Sequence, residues 1–245
     1  MTDLSVHHNH FYNWTNWDDT ERNSFHHNGF FAWAMSGGSL AKVRYFANFI
    51  GPNYSLVNSG EPSRANHATS GLFVQGEVKD ILVYNNVFVE NQGDAPANGS
   101  ITTSRLKAFG TVGIYNNTFI GGGHGQAISI GGGTGTYIVK NNVAIEKGTF
   151  IASNRAFTSI LIADYNVGYR LRRGQEYSYS KNPRGNSSFR DFTAWRAMGY
   201  GTHSFNKNPN LNARCRPMAN SPLIGAGEDL SNIFATDGAG SPRPK

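Results

Sequence analysis

Residues 112–119 read VGIYNNTF, and the same shape returns at 81–88 as ILVYNNVF and at 137–144 as YIVKNNVA. Aligned on the second Asn of each, three further segments join: LSVHHNHF at Asn9, VRYFANFI at Asn48 and LIADYNVG at Asn166. The intervals between the aligned Asn residues are 39, 38, 31, 25 and 24. Five and three places before the Asn stand Leu4 and Val6, Val43 and Tyr45, Ile81 and Val83, Val112 and Ile114, Tyr137 and Val139, Leu161 and Ala163. Ten of these twelve are aliphatic and two are Tyr, so the apolar period is two, as in a strand with one buried face; a helix would repeat at three and four. Two places after the Asn come Phe11, Ile50, Phe88, Phe119, Ala144 and Gly168. A strand therefore enters each Asn, the chain bends there, and another strand leaves.

A second register alternates with the first. Strand-like runs follow Gly29 (FFAW), Gly71 (LFVQ), Gly99 (SITT), Gly125 (QAISI) and Gly148 (TFIA). Each repeat thus holds three short strands. Parallel stacking of repeats sets equivalent residues about 4.8 Å apart, so the Asn side chains can form a hydrogen-bonded ladder. The sequence predicts an all-β chain of about five to six stacked coils.

Composition agrees. Charged residues make up 16% and hydrophobic residues 38%, with 29 Gly; Gly and Asn suit a chain with many tight turns, because both tolerate the left-handed conformation. An aromatic content of 13% argues against disorder. The net charge of +6 favours an anionic partner. The basic residues are scattered, with the densest group at Arg170, Arg172 and Arg173, which points to acidic polysaccharide and away from nucleic acid. The single Cys215 leaves no internal disulfide and no thiolate zinc site. No apolar run is long enough to span a bilayer and no leader precedes Thr2, so no membrane partner is expected.

The strand–Asn–strand turn, the variable loops and the repeat size resemble the pectate-lyase-like superfamily of right-handed parallel β-helix proteins over residues 3–170. Residues 171–245 are expected to form C-terminal loops and a capping segment packed on the helix. There Trp195, Gly199, HSFNKNPNLN, SPLIGAG and TDGAGSPRP resemble the ending of secreted β-helix proteins. The resemblance implies a secreted or cell-surface location and a ligand groove beside the longest loops. The fold hosts lyases, hydrolases, esterases and adhesive fibres alike.

The variable loops lie between the strand after the Asn and the strand after the Gly: 13–28, 51–70, 90–98, 121–124 and 146–147. The early ones are long, so the groove is expected beside the N-terminal coils. They carry Asp18, Asp19, His26 and His27, expected as acid–base groups, and Arg64, His67, Asp94 and His124, expected to contact substrate. Trp17 and Trp33 could stack on sugar rings. Along the third strand the register is open: either Phe30 and Leu72, or Phe31 and Phe73, point inward. Three fragments resemble polygalacturonase-type hydrolases: Asp18-Asp19, Gly123-His124-Gly125 with Ile128–Gly131, and Arg105-Leu106-Lys107. Here, however, the basic fragment precedes the His, and that family's Asn-Thr-Asp-Gly motif is missing. A lyase would instead need a base and charge neutralisation, for which Arg64, Lys79, Arg105 and Lys107 are available. Only Asp18, Asp19 and Glu21 cluster as calcium ligands would, and the pairs His7-His8 and His26-His27 should point to opposite strand faces, offering one ligand each. No metal and no cofactor are expected.

The first strand lacks a preceding one, so its end is expected to be covered by an upstream segment or a partner copy. The reading is a β-helix that binds or cleaves an acidic polysaccharide, as lyase or hydrolase. Its rival is a non-catalytic adhesin, phage tail-spike-like segment or structural fibre.

Overall fold

The computed structural model describes residues 1–12, 14–16, 28–34, 37–52, 54–57, 70–90, 99–122, 125–153, 159–179 and 188–242, with 14–16 and 54–57 as backbone alone. The chain is all-β with parallel sheets, in a solenoid-like arrangement compatible with a β-helix.

Six strands stack in the first sheet: Thr2–His7, Leu40–Phe46, Val78–Tyr84, Leu106–Tyr115, Gly132–Lys140 and Ile160–Asp164. Their register matches the sequence alignment. Val6, Tyr45, Val83, Ile114, Val139 and Ala163 form one column, and the residues two places earlier form another. Val83, Ile114 and Val139 are buried. The second sheet continues each repeat through His10–Phe11, Phe49–Ile50, Val87–Glu90, Thr118–Gly121, Val143–Ile145 and Val167–Tyr169, then gains Phe205–Asn206. Phe11, Ile50, Phe88, Phe119, Ala144 and Gly168 align there.

Between these sheets stands the ladder. Asn9, Asn48, Asn86, Asn117 and Asn142 each donate Nδ2–H to Oδ1 of the next Asn, at 2.9–3.1 Å. Each of their backbone N–H groups reaches the same Oδ1. Asn48, Asn86, Asn117, Asn142 and Asn166 also donate to a carbonyl of the preceding repeat. The last rung, Asn166, takes the Ser204 hydroxyl as acceptor for its N–H. Five of the six rungs are buried, and the bonds offset the cost of burying amides. The bend itself falls one residue earlier than the sequence suggested. His8, Ala47, Asn85, Asn116, Asn141 and Tyr165 are left-handed, with φ of 52–58°. Only half are Asn, so this column escaped a search for turn formers.

The third sheet holds Phe30–Ala34, Leu72–Gly76, Gly99–Ser104, Gln126–Ile130, Thr149–Ser153 and Tyr177–Tyr179. Phe30, Leu72, Ile101, Ile128, Ile151 and Tyr177 form its inward column, which resolves the open register: Phe31 and Phe73 point outward. Of the preceding glycines, Gly29 stands level with Gly71 and Gly125 with Gly148, but Gly99 breaks the row by sitting opposite Gln126. Strand Ser188–Arg190 closes this sheet antiparallel. A short helix, Phe192–Ala197, capped by Asp191, places Trp195 on Tyr177 and Tyr200 at 4.4 Å each. Trp195 is 1% exposed. At the opposite end Leu4, Val6, Phe11 and Phe30 are only half-buried.

The C-terminal segment returns along the ladder corner. Asn141 exchanges two hydrogen bonds with the Glu228 backbone, Lys140 pairs with the Glu228 carboxylate at 2.5 Å, and Asn85 donates to the Thr236 carbonyl. Phe234 stacks on Tyr84 at 4.7 Å.

Candidate functional site

The second and third sheets meet at the corner that carries the long loops. The first two loops begin as a parallel pair, with Trp14 opposite Tyr54 and Asn16 opposite Val57. Asp18, Asp19, His26, His27, Arg64, His67, Asp94, His124 and Trp17 lie outside the described residues, as do Glu21 and Gly123. Trp33 is described, and so are the strands that flank all these loops.

On the outer face of the third sheet, Phe31, Phe73, Thr102, Ser129, Ala152 and Ser178 form one row. From Phe73 onward this row is at most 9% exposed. Thr102 turns its hydroxyl to the Gly99 backbone and accepts from Ser70. The next row holds Trp33, Gln75 and Ser104, and Trp33 is 51% exposed. Its ring lies parallel to Phe31, with centroids 5.9 Å apart, and Phe31 meets Phe73 edge-on at 5.1 Å. A rigid, open indole face beside an amide and a hydroxyl is what stacking on a sugar ring requires. The surface is therefore open at the first repeats and closed at the later ones.

Arg105 follows Ser104 in a left-handed turn and is exposed. Lys107 is engaged with Glu77 at 2.8 Å, which lowers the Glu77 pKa by hydrogen bond and charge. Lys79 is the second residue of the adjoining first-sheet strand, Val78–Tyr84. The basic fragment 105–107 thus stands at the far end of the third-sheet strands from the loops, about 17 Å along the strand. It stands at the same strand ends as Trp33, and the other polygalacturonase-like fragments, Asp18-Asp19 and Gly123-His124, lie outside the described residues.

Two polar groups here were missed in the sequence. Glu90 ends its strand with its side chain fully buried, paired with the fully buried Lys147 two repeats on. Ser100 donates to Glu90 at 2.5 Å. Gly122 leaves space for this carboxylate: a Cβ there would stand 2.2 Å from Oε2. The alternation that puts Phe88 inside also puts Glu90 inside, so the signal was present. Away from this corner, His203 Nδ1 meets Asp164 Oδ2 at 2.7 Å, and its N–H donates to Oδ1. Partial burial opposes ionisation of Asp164, but the hydrogen bonds from His203 and Tyr165 outweigh it and lower its pKa. No sequence pattern marked this pair, since 39 residues separate its members.

The expectation for His7 and His8 is overturned. The strand ends at His7 and His8 is left-handed, so the two rings lie together, Nδ1 to Nδ1 at 2.8 Å. Among the described residues no three His, Cys, Asp or Glu side chains gather as metal ligands would, and no helix is long and apolar enough to cross a membrane. Neither a family model, nor a curated protein, nor a solved structure matches the chain.

Proposed function

We propose that this chain is a right-handed parallel β-helix of six coils, of the pectate-lyase-like kind, and that it engages an acidic polysaccharide at the N-terminal end of its third sheet. The hand follows from the strong preference of parallel crossovers for right-handed connections, about 98% of cases. The observation that carries the function is the exposed Trp33, braced by Phe31 and set beside Gln75, Ser104 and the exposed Arg105. An indole supplies the apolar face for a sugar ring, and a guanidinium is the natural partner of a uronate carboxylate. The excess of basic residues draws the same class of ligand.

In this reading Arg64 and His67 contact the sugar, and the acid–base groups are Asp18, Asp19, His26 and His27. These residues cleave the glycosidic bond by acid–base chemistry, as a hydrolase or as a lyase. A second reading rests on a specific observation: the described outer face offers rings, hydroxyls and an amide but no carboxylate–base pair. That surface suits a β-helix that binds glycan without cutting it, as an adhesin or fibre does.

A panel of uronate-containing and neutral glycans tests both. Cleavage releases reducing ends, and a lyase adds unsaturated products absorbing in the ultraviolet. Asp19→Asn and His27→Ala should each abolish turnover while leaving binding and thermal unfolding nearly unchanged. Binding with no product from any glycan selects the second reading. No binding, or an oligouronate affinity and stoichiometry unchanged by Trp33→Ala with Arg105→Ala, removes the site.

A further inference from the structure

A groove that the third-sheet site does not use runs between the ladder corner and the C-terminal segment. Two adjoining cavities, of about 520 and 700 Å³, share Asn116, Asn141, Val143, Pro217 and Leu223 in their walls. Their volumes fall in the range of small-molecule sites, roughly 300–1,000 Å³. The floor is the outward row of the second sheet, including Phe49, Val87 and Thr118. The roof is the returning C-terminal chain.

His8, His10, Arg214 and Arg216 are among the residues that line the larger cavity. A turn built on Asn212 presents the two arginines: its Oδ1 accepts both of their backbone N–H groups, at 2.9 and 3.1 Å. Neither guanidinium has a hydrogen bond or ion pair among the described residues. Asp237 also lines this cavity, but its carboxylate oxygen is held by the N–H groups of Ala239 and Ser241 at 2.8 Å each. The two cations therefore line a cavity in which one carboxylate oxygen of Asp237 is already engaged. His10 donates Nε2–H to the Gly51 carbonyl at 3.0 Å, which leaves Nδ1 as an acceptor for a ligand hydroxyl. Its ring is edge-on to Phe49 at 5.0 Å.

We propose that this groove is a second binding site, for a uronate-bearing oligosaccharide segment. Arg214 and Arg216 take the carboxylate in charge-assisted hydrogen bonds, the Phe49 ring supplies the apolar surface under the sugar, and His10 and Thr118 meet its hydroxyls. The site is separate from Trp33, and it stands or falls independently of whether the loops cleave anything.

Cys215, between the two arginines, is the chain's single thiol, is half-buried and lines the same cavity. It reports occupancy of this groove and of no other place. Alkylation of Cys215 by iodoacetamide is followed with and without an oligogalacturonate, a neutral oligosaccharide of equal length, and inorganic phosphate. The expected result is a several-fold slowing by the oligogalacturonate alone, saturable, lost in Arg214→Ala with Arg216→Ala, and kept in Trp33→Ala. An unchanged rate, protection that survives loss of both arginines, or loss of protection in Trp33→Ala would overturn the proposal. Equal slowing by phosphate would reduce the site to an anion pocket, and equal slowing by the neutral sugar would remove the arginines' role; either outcome contradicts it.

Discussion

Two of the corners that each repeat turns are built on opposite terms. At the ladder corner the chain crosses in the same few residues every time: a left-handed residue, an Asn that is buried in every repeat after the first, and a strand that resumes at once. At the loop corner the distance between strands falls from 21 residues, between Ile50 and Leu72, to three, between Ile145 and Thr149. The difference is one of what each corner must satisfy. A ladder rung bonds to rungs above and below, so a change in one repeat leaves an orphaned amide in its neighbours. A loop that leaves the stack has only its closure entropy to meet, and that grows slowly, about 0.6 kcal/mol per doubling of length. One corner is therefore held constant by physics, and the other is free to carry chemistry.

The comparison breaks down most visibly at Glu90 and Lys147, where the loop corner too is pinned by a buried bond across repeats. Lys147→Met should cost about 3–5 kcal/mol, the usual loss when one partner of a buried pair is removed, and adding Glu90→Gln should recover part of it. Equal denaturant midpoints for wild type and Lys147→Met would show that this pair does not anchor the corner.

Between the corners, Ile114 sits in the middle of a column that is buried from Tyr45 to Ala163. Ile114→Ala should destabilise by about 2–5 kcal/mol through lost contacts and a cavity, with the slope of the denaturant transition unchanged. At the ladder itself, Asn117→Ala strands the Asn86 amide and the Val83 carbonyl and should cost about 1–3 kcal/mol. A cost within error would mean that the rungs add nothing beyond the strands. The smallest effect belongs to the outer face of the third sheet: Trp33→Ala should move stability by no more than about 0.5 kcal/mol while removing most of the oligouronate affinity that remains in a chain already carrying Arg214→Ala and Arg216→Ala. A large stability loss there would make Trp33 a packing residue and the platform an accident.

The same contrast explains what could be read from the sequence. The columns through Val83, Ile114 and Val139, and the Asn rungs, were legible because stacking forces the same residue types into the same places. The outward side of Phe31 and Phe73 was not, because Phe30 and Leu72 beside them are equally apolar and alternation alone cannot rank them. Glu90 follows the inward alternation of Phe88 but was missed, because a buried charge is interpretable only once its partner Lys147, far along the chain, is known. The proximity of His7 and His8 was misjudged because the turn begins inside that pair. The groove roofed by Arg214 and Arg216 could not be foreseen, since no periodicity links the C-terminal segment to the corner on which it lies. For the loop residues Asp18, Asp19, His26 and His27, the sequence supplies the chemistry and the strands Trp14–Asn16 and Tyr54–Val57 supply a common starting edge.

Native-state hydrogen exchange at the ladder tests the central claim most directly. The backbone N–H groups of Asn48, Asn86, Asn117 and Asn142 each donate to the next Asn side chain. If the ladder is one cooperative column, all four amides exchange only through global unfolding, with one common free energy equal to that from denaturant. Four unrelated values well below the global one would contradict a continuous ladder, and with it the account of why one corner is fixed and the other free.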